Sequence, residues 1–191
     1  MLILPNSCFL HIPKTGGTWV TRAIEKSGIP TYDIRIDGDP HIGLGHVLCR
    51  DRFRFAFIRH PLGLYRSYWQ FKMTYGWDER NPLDQSCHSD HFHTFVEQVL
   101  DRFPGFITTS LVGFLGEDYE QVDFIGKYEN LVDDLIKALR MAGEVFDEAG
   151  IRALAPCNVS NKEKYPAEFT PGLEQRIRES EQRILDKFGY A

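Results

Sequence analysis

Apolar residues along this 191-residue chain fall into short separate runs, and the spacing within each run predicts an element. Residues 7–12 (Ser-Cys-Phe-Leu-His-Ile) form a compact apolar run of the kind that makes a buried parallel strand. Pro13-Lys14-Thr15-Gly16-Gly17-Thr18 follows as turn-forming sequence. Trp19, Val20, Ala23 and Ile24 then recur at i, i+1, i+4 and i+5 with charges between them, until Gly28 closes the segment. This is the pattern of one amphipathic helix, so the chain opens as strand, glycine turn, helix. Residues 31–36 alternate like a half-exposed strand, 53–58 (Phe-Arg-Phe-Ala-Phe-Ile) read as a second core strand, and 123–128 as another. Helices are predicted over 62–75, 93–103 and 131–142, and a final one from 170 to about 188. This order favours a single α/β domain, residues 1–191, with a mostly parallel central sheet and helices on both faces.

Composition adds limits. At 42% hydrophobic and 26% charged residues the chain is that of an ordinary globular protein. The opening Met-Leu-Ile-Leu is ended by Pro5 and Asn6, too short for a signal segment. No later stretch approaches the ~18 apolar residues of a membrane span. Cys8, Cys49, Cys87 and Cys157 form no CxxC pair, which predicts free, mostly buried thiols and a cytoplasmic location. A net charge of −5 argues against a general nucleic-acid binder. The sign is uneven, however: 10 Lys and Arg against 5 Asp and Glu give residues 1–72 a charge of +5, while 12 against 22 give residues 73–191 a charge of −10. Such gathering of positive charge suits a local anion site in the first segment.

The glycine turn is the place for it. A Gly-rich turn between strand and helix points several backbone N–H groups at one spot, and the helix N-terminus adds about half a positive charge. Lys14 stands before the glycines, with the hydroxyls of Thr15 and Thr18 around them. The G-x-x-x-x-G-K-[ST] loop of kinases and ATPases has the opposite order, its lysine following the glycines and a metal-holding hydroxyl following the lysine.

Pro13-Lys14-Thr15-Gly16-Gly17-Thr18-Trp19-Val20 resembles the 5′-phosphosulfate loop of sulfotransferases that use 3′-phosphoadenosine 5′-phosphosulfate (PAPS). From His11 to Thr18 it is similar to the carbohydrate branch, and its Thr-Trp-Val continuation to the cytosolic branch. The resemblance implies that backbone N–H groups of residues 15–18 hold the 5′-phosphate, that Lys14 contacts the oxygen bridging phosphate and sulfate, and that Trp19 covers the adenine. The family adds a 3′-phosphate site, built from an arginine ending a core strand and a serine eight residues later. Arg59 and Ser67 match that spacing. An arginine fork suits phosphate oxygens, and Pro61 is placed to start the helix that carries Ser67. What the resemblance implies is a P-loop NTPase-like sulfotransferase fold and transfer of a sulfuryl group from PAPS to a hydroxyl or amine of a small-molecule or glycan acceptor. Adenosine 3′,5′-bisphosphate (PAP) would be released, with no metal required. The alternatives are a P-loop nucleotide or small-molecule kinase and a non-catalytic PAP-binding protein.

Transfer to a hydroxyl needs a base for the acceptor proton and positive charge at the leaving oxygen. Lys14 suits the second task. For the first, His46 in Gly43-Leu44-Gly45-His46-Val47 is preferred, because Gly-His-Val resembles the segment carrying the catalytic histidine of uronyl 2-O-sulfotransferases. His41 in the same loop is next, then Asp37 or Asp39, while His11 is expected in the core beside the turn. Cys87, His88, Asp90, His91 and His93 include potential metal ligands, but zinc sites usually draw on two clusters and no second one exists, so a polar loop is predicted. Tyr128-Glu129-Asn130 resembles a structural strand-to-helix turn of the carbohydrate branch, with Asn130 as a helix cap. Residues 156–165 are similar to the family's late Asn-x-Ser loop, which either closes over the cofactor with Lys162 or Lys164 or is a surface loop. Asn158-Val159-Ser160 also matches a glycosylation signal, which has no meaning in the cytosolic chain expected here.

Overall fold

The computed structural model describes residues 1–43, 51–157 and 163–190. In chain order its elements are β1 (Leu2–Ile3), β2 (Ser7–Leu10), α1 (Gly17–Lys26), β3 (Tyr32–Asp33), β4 (Phe53–Ile58), α2 (Pro61–Tyr75), α3 (Pro82–Cys87), α4 (Phe92–Arg102) and α5 (Phe106–Leu115). Then come β5 (Phe124–Lys127), a 3-10 turn (Tyr128–Asn130), α6 (Leu131–Met141), α7 (Glu148–Arg152), α8 (Pro171–Ser180) and α9 (Gln182–Phe188). The chain is thus α/β, with a five-stranded sheet flanked by helices.

The strand order is β3-β1-β2-β4-β5. β4 pairs parallel with β2 and with β5, the last rungs being Leu10↔Ala56 and Ile58↔Lys127. β1 is antiparallel to both β2 and β3. The sheet is therefore mixed, where a mostly parallel one was expected. The reason lies in the opening Met-Leu-Ile-Leu: a tight turn at Pro5 and Asn6, closed by Leu4 N–H donating to the Ser7 carbonyl at 2.9 Å, folds it back as a hairpin partner of β2. The strand expected over 31–36 shrinks to the two residues of β3 and an isolated bridge, Ile36↔Asp39.

The chain groups into two compact units, Met1–Arg59 with Leu111–Asn158, and His60–Ser110 with Val159–Ala191. In the first, Phe9, Phe55 and Phe57 pack with Val20, Ala23 and Ile24 of α1 and with α6. Each fully buried phenylalanine contributes roughly 1.5–3 kcal/mol. The alternate residues Cys8, Leu10, Ala56 and Ile58 are buried as well, so β2 and β4 are near-continuous apolar runs. Gly126 makes room for the neighbouring Phe57 ring and for α6, since a Cβ there would stand 2.5 Å from Phe57 Cε1 and 3.0 Å from Asp134 Cβ. Asp134 of α6 accepts the Lys127 N–H at 2.7 Å. Asn130, expected to cap α6, occupies the cap position without a side-chain bond.

The second unit is helical. Pro61 starts α2 as predicted, and the His60 ring accepts from Leu62 N–H at 3.2 Å. Thr170 caps α8. The single final helix expected over 170–188 is broken at Glu181. That residue is fully buried, and its carboxylate accepts from Ile107 N–H at 3.0 Å, Thr108 N–H at 2.9 Å and the Tyr65 hydroxyl at 3.3 Å. Turning inward to cap the start of α5 costs the helix its continuity. Asp84 is buried too, meeting Lys72 Nζ at 2.5 Å, the Tyr68 hydroxyl at 2.6 Å and Asp78 N–H at 2.8 Å. Among the described residues, no helix is long and apolar enough to cross a membrane.

Candidate functional site

At the end of β2 the backbone turns sharply enough to force Lys14 into the left-handed region, φ 65°. A non-glycine residue held there stores of order 1–3 kcal/mol of strain, of a kind that clusters at functional sites. Thr15 is fully buried and its hydroxyl donates to the Ile12 carbonyl at 3.0 Å, so this hydroxyl stitches the loop together. Gly16 (φ 89°) is the N-cap of α1, and its carbonyl accepts from Trp19 and Val20 N–H at 2.9 and 3.1 Å. The helix start has no side-chain cap and no acidic residue in its first turn. Its first N–H groups are the orphan donors of any helix, backed by the dipole.

Both glycines are required by their surroundings. A Cβ on Gly17 would lie 2.0 Å from His11 Cδ2, and one on Gly16 would lie 2.8 Å from Leu131 Cδ2 and 3.0 Å from Tyr128 Cδ2. Thr18 is exposed at the mouth of the loop. Trp19, expected to cover an adenine, is only 6% exposed and belongs to the core cluster. The indole sits on the sheet-facing side of α1, where burial of its large apolar surface ties the first turn to the core.

Arg59, one residue beyond β4, reaches the loop. Its Nη1 donates to the Lys14 carbonyl at 3.3 Å, and its guanidinium lies 4.0 Å above the Tyr128 ring. Lys14, Thr15, Gly16, Gly17, Thr18 and Arg59 are thus gathered at the carboxyl ends of two neighbouring parallel strands. That edge is where ligands bind in open α/β sheets. Ser67 lies on α2 in the second unit and is buried.

A group of titratable side chains borders the loop. His41 Nδ1 is 2.6 Å from Asp39 Oδ1, and its ring meets the His11 ring edge-on at 4.7 Å. Burial, with the neighbouring His41, pushes His11 down to about 4, so it is neutral at pH 7. Burial also lowers His41, Lys14 adding to the effect and Asp39 opposing it. His46, together with Lys162 and Asn158 to Ser160, lies outside the described residues. Among the described residues no three His, Cys, Asp or Glu side chains converge as metal ligands; His93 Nε2 instead meets the Glu168 carbonyl at 2.7 Å.

In sequence Tyr128 stands only as part of a turn, and nothing local to it announces a contact with Arg59. Only the register of β5 against β4 makes them neighbours. No family model, curated protein or solved structure matches the chain.

Proposed function

We propose that the protein is a PAPS-dependent sulfotransferase. The observation that carries this reading is the Arg59–Lys14 contact, which sets a guanidinium beside a loop already suited to phosphate. A site for one phosphate group would need only the loop. A donor with separate 5′ and 3′ phosphates calls for two cationic positions, and Lys14 and Arg59 supply them. The residues fit such a donor: an uncapped helix start, glycines that tolerate no Cβ, and the basic side chains of Lys14 and Arg59. Ser67 joins the proposal through its spacing from Arg59.

When bound, the donor would supply a sulfuryl group for in-line transfer to the acceptor oxygen, with PAP as the leaving product. The chain's own tasks are electrostatic. Backbone N–H groups of residues 15–18 hold the 5′-phosphate, and the Lys14 ammonium neutralises charge at the leaving oxygen. Among the described residues, His41 has the best credentials as base. Asp39 holds its Nδ1–H, which fixes the tautomer and leaves Nε2 as acceptor, and its lowered pKa keeps it unprotonated at neutral pH. His46, preferred on resemblance, is the competing base. The kinase alternative is disfavoured, because the lysine precedes the glycines and the next hydroxyl, Thr15, is committed to the Ile12 carbonyl.

Calorimetry without added Mg²⁺ tests the reading. PAP should bind clearly more tightly than AMP or ATP. Arg59→Ala should weaken PAP roughly 10- to 150-fold, the share of a charge-assisted contact, and leave AMP unchanged. Equal binding of PAP and AMP by the wild type would overturn the two-phosphate site. Transfer of labelled sulfate from PAPS to a panel of acceptors then separates an enzyme from a PAP-binding protein that lacks turnover.

A further inference from the structure

One aromatic ring lies against both Arg59 and the glycine loop. Tyr128 follows directly after β5, and Arg59 directly after β4. Since Ile58↔Lys127 is the last rung between those strands, the two residues are the next matched positions of the same ladder. The face of the Tyr128 ring carries the guanidinium, at 4.0 Å. Its edge closes on the loop: a Cβ on Gly16 would stand 3.0 and 3.3 Å from Tyr128 Cδ2 and Cε2. The ring is about one-third exposed, so it borders the site instead of filling the core.

An arginine side chain has several rotatable bonds, and holding its fork in one place costs rotamer entropy unless something else holds it first. A ring face attracts a cation through its quadrupole, and a flat guanidinium can rest on it while its N–H edge still points outward. The Lys14 carbonyl takes one N–H from the other direction. We propose that Tyr128 is the positioning residue for Arg59. On this view the ring presets the guanidinium against the loop, so that the protein selects a 3′-phosphorylated adenine nucleotide over one bearing only a 5′-phosphate. The inference rests on the two-phosphate reading above. It gives Tyr128 no contact with the ligand; the effect runs through Arg59.

The readout is the ratio of the AMP and PAP dissociation constants, measured by calorimetry on the full chain. Tyr128→Leu should lower that ratio about 2- to 30-fold, the range of a cation–π contact, while AMP affinity stays within about 2-fold. Tyr128→Phe should keep the wild-type ratio. In an Arg59→Ala background, Tyr128→Leu should have no further effect on it. Phenylalanines with increasing ring fluorination at position 128 keep the shape and drain the ring face, so the ratio should fall stepwise along that series. They also carry the test should the leucine variant fail to fold. Two results would overturn the proposal: an unchanged ratio across the fluorinated series, or equal weakening of AMP and PAP by Tyr128→Leu, which would mark the ring as mere packing for Gly16. The underlying reading fails separately, by a wild-type protein that does not distinguish PAP from AMP at all.

Discussion

Asp84 in the second unit and the Lys14–Arg59 corner in the first are both concentrations of charge, and they are finished in opposite ways. Asp84 has no exposed side-chain surface, and Lys72, Tyr68 and the Asp78 N–H all answer its two oxygens. Glu181 follows the same rule, with two backbone N–H groups, a threonine hydroxyl and a tyrosine hydroxyl around one carboxylate. The loop corner runs the other way. Its helix starts without a side-chain cap, its lysine sits in a strained backbone region, and its arginine rests on a ring face. Buried charge that serves the fold is saturated by the fold, because an unanswered polar group costs about 1–3 kcal/mol. A corner whose helix start lacks a side-chain cap and whose backbone bears strain is consistent with a place built for something else to complete.

The sharpest way to break this contrast is to ask which region controls turnover. His41→Ala should lower sulfuryl transfer about 10²- to 10⁴-fold, the usual share of a general base, with PAP affinity and the unfolding midpoint little changed. Activity rates will show whether the base is right: retained turnover would move the role to His46. The opposite profile is expected of Asp84→Ala. Removing one partner of a buried ion pair costs about 3–5 kcal/mol, to be read from urea unfolding, while any folded fraction should bind PAP as before. A stable Asp84→Ala protein that lost PAP would show that the second unit's charge cluster is not merely structural.

A smaller effect separates the regions by the sign of their pH dependence. His11 has a folded pKa of about 4, below its ordinary 6.5, so as pH falls the unfolded chain takes up the proton first. Its contribution to stability is complete above pH 6.5 and is lost as pH falls toward 4, by at most about 1.4 kcal/mol per pH unit. His41, also lowered by burial, acts in the same direction. Glu181 is raised by burial, so its contribution is present below the ordinary carboxylate range and is lost as pH rises through the folded pKa. Denaturant unfolding between pH 4 and 7 should therefore show an acid loss that flattens in His11→Asn, and Glu181→Gln should steepen the acid side relative to wild type.

Much of both units was legible in the sequence wherever the elements are local and patterned. β4 falls on the six apolar-alternating residues that predicted it, and α1, α2, α4 and α6 lie within two residues of their expected bounds. Elements decided by distant partners were not legible. β1 is two residues long and exists only because β2 and β3 flank it. α5 has an apolar sequence with little helical period, so its pattern gave no signal. The break between α8 and α9 depends on what Glu181 finds 73 and 74 residues away. At the site, the loop and Arg59 could be read from residue order, since a strand and a helix start carry their own signatures. The Tyr128–Arg59 contact could not, because strand register decides it.

Register also makes the corner a matter of counting. Arg59 and Tyr128 face each other because each follows the last rung of a shared ladder. Side chains along a strand alternate faces, so gaining or losing one residue within Phe53–Ile58 would swing Arg59 to the opposite side of the sheet. A shortened strand would put His60 in its place, and a lengthened one would put Ile58 there. Over many generations the interior apolar positions of β4 could be exchanged for others of similar size and leave the corner intact, but its length could not drift. Among descendants of this chain, insertions and deletions should be absent from β4 even where its residues have changed freely.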